Sequence, residues 1–151
     1  MKKTLFLLIF SFFIISCEKD EPTYCCTIID SSIDIKFIDS EGNNLLGEEN
    51  QFEETDISVY NKIDGEWKIS PENTFLVERE NEDYLRVFAN LESTDTQISE
   101  LKLEFPDNEF DILKTEISSQ NANTFVTKVW YNDELKWETD NNSERIIEVI
   151  K

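Results

Sequence analysis

Asp39, Glu41, Asn43 and Asn44 stand within six residues of one another and carry the oxygen ligands that hard cations prefer. Calcium takes about six to eight such oxygens. A second group, Asp140, Asn141, Asn142 and Glu144, has the same composition. Neither matches the D-x-[DN]-x-[DN]-G spacing of a helix-loop-helix calcium loop, and no glutamate stands at the twelfth position. Solvated turns between strands are the expected role of both, and no metal site is assigned. Carboxylate pairs could in principle hydrolyse glycosides, at separations of about 5 Å or about 6.5–9.5 Å. With 33 acidic residues in the chain, a pair at that spacing arises by accident. The aromatic residues Trp67, Trp130, Trp137, Tyr60, Tyr84 and Tyr131 offer a third chemistry, stacking on sugar rings if several share one solvent-facing side. Their ordinary use is core packing. In residues 125–131 one parity carries Phe125, Val129 and Tyr131 and the other Val126 and Trp130, so both faces are partly apolar, which favours the core.

What is missing bounds the chemistry more tightly. The chain has no histidine, which removes Ser-His-Asp and Cys-His catalysis, His-ligated zinc and imidazole acid–base work. Its three glycines, Gly42, Gly47 and Gly65, cannot build a GxGxxG or GxxxxGK phosphate cradle. No residue is assigned a catalytic or cofactor-binding role, and the expectation is a protein that is not an enzyme.

The elements that must position these groups are strands. Ile33, Ile35 and Phe37 alternate with Asp34 and Lys36, the period of a half-buried strand. Residues 39–44 are turn material, and residues 45–55 read as an acidic loop or crossing segment. Ile57, Val59 and Tyr60 begin a further strand that turns at Asp64-Gly65 into Trp67 and Ile69, a strong hairpin signal. Residues 74–79 and 84–91 flank a turn at Glu80-Asn81-Glu82-Asp83. Leu101, Leu103 and Phe105 alternate with Lys102 and Glu104. Residues 124–131 and 134–138 surround Asn132-Asp133, which suits a turn of positive φ. Residues 146–150 read as a closing strand. Residues 107–121, with Phe110, Ile112, Leu113 and Ile117, fit a short helix or a strand. About eight short strands without a helical stripe predict an all-β fold, a single antiparallel sandwich, immunoglobulin-like or transthyretin-like.

The first sixteen residues are of another kind. Lys2 and Lys3 precede an apolar run, residues 5–15, broken only by Ser11. A span needs ~20 apolar residues, so this run suits a secretory signal instead. Ile14-Ile15-Ser16-Cys17 resembles the lipobox of bacterial lipoproteins, with Ile15 bulkier than the usual occupant. The resemblance implies that residues 1–16 are cleaved and that Cys17 receives a diacylglycerol and often a further acyl chain. An ordinary signal with a chance cysteine is the alternative. Glu18-Lys19-Asp20-Glu21 resembles the acidic export signal of surface lipoproteins of the Bacteroidota; a plain solvated tether is its other reading.

The expected organisation is a signal peptide over 1–16, the lipidated Cys17 and tether over 17–24, and a sandwich domain over 25–151. Cleavage removes two of 14 basic residues and none of 33 acidic ones, leaving 12 against 33, a charge of −21. Such a field repels nucleic acid and anionic headgroups. The adjacent Cys25 and Cys26 would point to opposite faces of a strand. One facing the core is the expected arrangement, and a vicinal or intermolecular disulfide the alternative.

Residues 37–46 and the hairpin around Trp130-Tyr131-Asn132-Asp133 are similar to those of small β-sandwich lipoproteins of the Bacteroidota. That likeness implies a turn-rich fold and no activity. The functional expectation is a lipid-anchored outer-membrane lipoprotein on the cell surface, a non-enzymatic binding or adhesion module. Its partners would be the membrane, through Cys17, and a protein or glycan ligand. The alternative is an accessory subunit of an outer-membrane complex, linked to glycan uptake.

Overall fold

The computed structural model describes residues 27–48, 50–71, 74–91, 97–120, 123–139 and 144–151. The lipobox with Cys17, residues 18–21, the pair Cys25 and Cys26, and Asp140, Asn141 and Asn142 lie outside the described residues.

The chain is an all-β sandwich of two facing sheets. The strands are β1 Ile29–Asp30, β2 Ser32–Ile38, β3 Ser58–Ile63, β4 Glu66–Ile69, β5 Thr74–Arg79 and β6 Glu82–Phe88. They continue as β7 Ile98–Glu104, β8 Phe110–Gln120, β9 Asn123–Tyr131, β10 Glu134–Glu138 and β11 Ile146–Ile150. The larger sheet runs β1-β9-β8-β7-β3-β4, with β10 beside β9 on the side that β1 also uses; the smaller runs β11-β2-β6-β5.

Among the described residues most ladders are antiparallel, and five of these join consecutive strands, as the turn spacing predicts. Two are not: β1 lies parallel to β9, and β11 parallel to β2, so both sheets are mixed. Parallel neighbours need a crossover. The chain supplies one when it leaves β10 in the larger sheet and enters β11 in the smaller.

Period-two patterning fixes which side of each strand is buried. Ile33, Ile35 and Phe37 of β2, Leu85 and Val87 of β6 and Ile147 of β11 meet Leu101, Leu103, Leu113 and Val129 of the larger sheet in one core. Phe37 bridges the layers, its ring edge-on to Phe105 at 5.5 Å and to Tyr131 at 6.4 Å. Burial of side chains of this size contributes about 1.5–3 kcal/mol each.

Among the described residues, three two-residue turns have both central residues at positive φ: Asp64-Gly65 at 53° and 81°, Glu80-Asn81 at 53° and 65°, and Asn132-Asp133 at 48° and 67°. That geometry matches the right-handed twist of the flanking strands.

Residues 107–121, ambiguous between helix and strand, are mostly β8. Apolar residues occupy both parities there because Leu113 and Ile117 point inward while Phe110 and Ile112 point out. The same ambiguity in β9 has a geometric cause. The β8–β9 register slips between Glu116 and Ile117, so Thr127 is an unpaired extra residue. Val129 and Tyr131 face inward on one side of this bulge and Val126 on the other, although their parities differ.

Candidate functional site

The outward face of the larger sheet is built by side chains that alternate with the core row. Register places Trp67 of β4 opposite Lys62 of β3, and Lys62 donates to Glu100 of β7 at 2.5 Å. Glu100 pairs with Lys114 of β8, Lys114 with Trp130 of β9, and Trp130 with Leu135 of β10. A second row runs from Ile69 through Tyr60 and Lys102 to Ile112. Both rows interleave aromatic or aliphatic side chains with lysine.

The lysines rest on the rings. Lys102 Nζ is 4.0 Å from the Tyr60 ring centre and 6.0 Å from that of Phe110. Lys62 stands 5.5 Å from Trp67, and Lys114 5.7 Å from Trp130. Such contacts at exposed sites are worth about 0.5–1 kcal/mol, so a ligand can displace them at small cost. Glu104 is held below the usual carboxylate range by the hydrogen bond from Lys102 and then by that from Tyr60.

The face is also electrically unusual for this chain. It carries four lysines (62, 102, 114 and 128) and four glutamates (100, 104, 116 and 138), whereas the whole sequence has 14 basic and 33 acidic residues. The face itself therefore adds nothing to the net negative charge that the rest of the surface carries. Ile69 and Phe110 are 62% and 61% exposed, so apolar area is open to solvent here as well.

The six aromatic residues singled out in the sequence divide three ways. Trp67, Tyr60 and Trp130 share this outward face. Tyr131 and Trp137 point inward, Tyr131 fully buried and Trp137 packed against the core edge. Tyr84 sits on the outer face of the smaller sheet. The core expectation therefore holds for two residues, while Trp67, exposed, and Tyr60 and Trp130, half-buried, share an outward face where this was not favoured.

The acidic groups have structural roles. Asp39 Oδ1 accepts the backbone N–H of Glu41 at 2.8 Å and of Asn43 at 2.9 Å, while Oδ2 accepts Asn43 Nδ2 at 2.8 Å. These bonds, that from the Asn43 side chain foremost, hold the Asp39 carboxyl below its ordinary range. Asn44 donates to the Asp83 carbonyl and accepts from Leu46 N–H. Of the second group only Glu144 is described, and it pairs with Arg79 at 2.7 Å.

Six polar residues are buried among the described residues, Asp34, Asn61, Asn90, Ser99, Asp111 and Thr115, and none was read as buried in the sequence. Asp34, on the outward side of β2, is 3% exposed because Arg86 and Arg79 fold over it. Asp111 accepts Tyr131 Oη at 2.6 Å and Asn132 Nδ2 at 2.6 Å, and pairs with Lys151. Asn61 occupies an inward position of β3. Asn61 left a trace, a polar residue at an inward parity between Val59 and Ile63, and Asp111 and Thr115 left the same one beside Leu113.

No family model, curated protein or solved structure matches this chain.

Proposed function

We propose that this chain is a lipid-anchored, non-enzymatic binding module of the outer membrane, displayed on the cell surface through Cys17, and that it recognises a glycan on the outward face of its larger sheet. The observation that carries the reading is the sharing of one outward face by Trp67 and Trp130, in one cross-strand row, and Tyr60, in the next. Sugar rings present flat C–H faces to aromatic side chains, and lysine and glutamate between the rings supply donors and acceptors for hydroxyls. Trp67 and Trp130 stand four strand positions apart, about 19 Å at the usual strand spacing. That span calls for a chain of several sugars. The balanced charge of the face favours a neutral glycan.

The test is titration of the chain with soluble neutral polysaccharides such as laminarin, xylan and mannan. Trp67→Ala and Trp130→Ala should each weaken binding roughly tenfold or more, as loss of an aromatic anchor does. Binding that survives both replacements, or no binding to any glycan alongside capture of a protein, would overturn the glycan reading. Surface display has its own test. Protease should reach the wild type on intact cells, but not a variant with Lys19, Asp20 and Glu21 changed to Ala.

An accessory-subunit reading is favoured by a different feature. β4 is the edge of the larger sheet, with Trp67 and Ile69 exposed along it, and an edge strand is a template for a partner's strand. Lys68 between them is the kind of residue that guards such edges. Co-purification in mild detergent separates the two, since a lone monomer speaks against the subunit.

A further inference from the structure

Among the described strands longer than two residues, β4 alone is exposed at every position, Glu66, Trp67, Lys68 and Ile69. The smaller sheet therefore does not reach over it, and its far edge pairs with no described strand. Other borders are shielded. The Glu54 carboxylate caps β5, accepting the Leu76 N–H at 3.4 Å, and β11 lies beside β10. An open edge is a template for another strand, which proteins ordinarily cover or guard.

The phase of the β3–β4 ladder decides which backbone groups face that edge. Ser70 N–H donates to the Val59 carbonyl at 2.8 Å, continuing the register in which Lys68 faces Asn61 and Glu66 faces Ile63. Antiparallel ladders bond at alternate pairs. Glu66 and Lys68 therefore turn their N–H and C=O groups toward β3, and Trp67 and Ile69 turn theirs outward from the sheet. The side chains divide in the same way: Trp67 and Ile69 lie on the outward face, Glu66 and Lys68 on the other.

We infer that β4 pairs antiparallel with β4 of a second copy of this chain, in the register that sets Trp67 opposite Trp67. The two Trp67 residues then exchange backbone hydrogen bonds, and their rings meet on the outward face. Glu66 of each copy stands opposite Lys68 of the other, at a non-hydrogen-bonded pair, where side chains come closest. Opposite charges so placed stabilise a strand pair, and like charges destabilise it. A shift of two residues one way sets Lys68 against Lys68, and the other way Glu66 against Glu66. A shift of one mismatches both bonding phase and face. Charge thus selects one register among those the backbone allows. The contact is isologous, so it closes as a dimer. This rests on the edge-strand reading above and names the partner as the chain itself. It also sets two outward faces side by side, lengthening the surface open to a glycan. The strand is short, so the dimer is weak between free chains and gains from tethering to one membrane.

The test is sedimentation velocity of the full chain in mild detergent, from micromolar to millimolar protein, with micelles in excess so that chains do not share one. Physiological salt limits the repulsion between two copies of charge −19 to a range of about 8 Å. The wild type should pass from monomer to dimer as its concentration rises. Glu66→Lys and Lys68→Glu should each weaken the dimer roughly tenfold or more, since like charges then face each other. Both positions are exposed, so the variants keep the fold. An equimolar mixture of the two variants should regain the dimer, because each supplies the charge that the other lacks. The monomeric variants should still bind polysaccharide, since Glu66 and Lys68 lie off the aromatic face, so the glycan reading fails or stands separately. The inference is overturned if the wild type stays monomeric at millimolar concentration, including the case in which it captures another protein's strand instead. It is equally overturned if the single reversals leave the dimer intact, or if their mixture stays monomeric.

Discussion

Arg86 grips Asp34 with two parallel hydrogen bonds, Nε to Oδ1 at 2.7 Å and Nη2 to Oδ2 at 2.8 Å. Arg79 joins them, its Nη2 2.8 Å from Oδ2 and its Nη1 on Glu144. The carboxylate is buried on the outward side of its sheet only because two guanidinium groups cover it. Arg86 in turn is held above its ordinary range, chiefly by the hydrogen bond to Asp34.

Breaking that pair from one side should be costly. Arg86→Ala leaves Asp34 enclosed with Arg79 alone, and the expected loss is about 3 kcal/mol in urea denaturation. The double replacement Asp34→Leu with Arg86→Leu should cost far less, because no uncompensated charge remains. Equal losses in the single and double variants would contradict this.

Asp111 makes stability depend on acid. Burial alone would raise its carboxyl, but hydrogen bonds from Asn132, Lys151 and Tyr131 outweigh burial and hold it below the ordinary 3.8. The folded state therefore binds this proton more weakly than the unfolded chain. Its contribution is present above pH ~4 and fades as the pH falls through the lowered value. Asp111→Asn should flatten that acid limb in a series of melts between pH 2 and 6.

The same contact acts in the opposite sense in alkali. Burial, and then the hydrogen bond to Asp111, push the Tyr131 phenol above its ordinary 10.0. The unfolded chain loses this proton first, so stability should fall as the pH rises past about 10. Tyr131→Phe should remove that fall, and should cost about 1.5–3 kcal/mol at neutral pH as a hydrogen bond to a charged group is lost. An unchanged alkaline limb would show that another group governs it.

Gly47 and Gly42 should respond differently to alanine. Gly47 has φ 122°, and a Cβ there would stand 2.5 Å from Asp83 Oδ2. Gly42 has φ 89° with nothing within 4 Å. Both replacements strain the backbone, but only Gly47→Ala also displaces a neighbour, so it should lose more, upwards of about 1 kcal/mol. Parallel thermal melts of the two variants check the order.

Calcium should leave the melting temperature unchanged. Three N–H donors already occupy the Asp39 carboxylate, so a cation there must first dismantle the turn. A rise in melting temperature at millimolar calcium, reversed by chelation, would refute this.

The strands were legible wherever one parity was apolar and the other polar, as in Ile33, Ile35 and Phe37 against Asp34 and Lys36. Asp64-Gly65 and Asn132-Asp133 announced their turns because few residues tolerate positive φ at both positions. What stayed hidden depends on neighbours far away in sequence. Asp34 reads as a solvated residue until Arg79, Arg86 and Glu144 are brought over it. Trp130 and Tyr131 could not be sorted between faces while the bulge at Thr127 was unknown. The outward aromatic row exists only once β4, β3, β7, β8 and β9 are set side by side, and chain order does not reveal that sequence of strands.

β11 pairs with β2 in parallel, and Arg145, just before β11, reaches the Ser32 carbonyl across 113 positions of sequence. Until β11 has arrived, β2 has a bare edge, and the row of Ile33, Ile35 and Phe37 lacks the cover of Ile147 and Val149. Pairings this distant in sequence slow folding, because a large loop must close before any contact rewards it. Maturation of this domain is therefore expected to be limited by one late docking event. A chain arrested short of β11 would present an unpaired strand edge, the sort of surface that chaperones hold and that aggregates recruit.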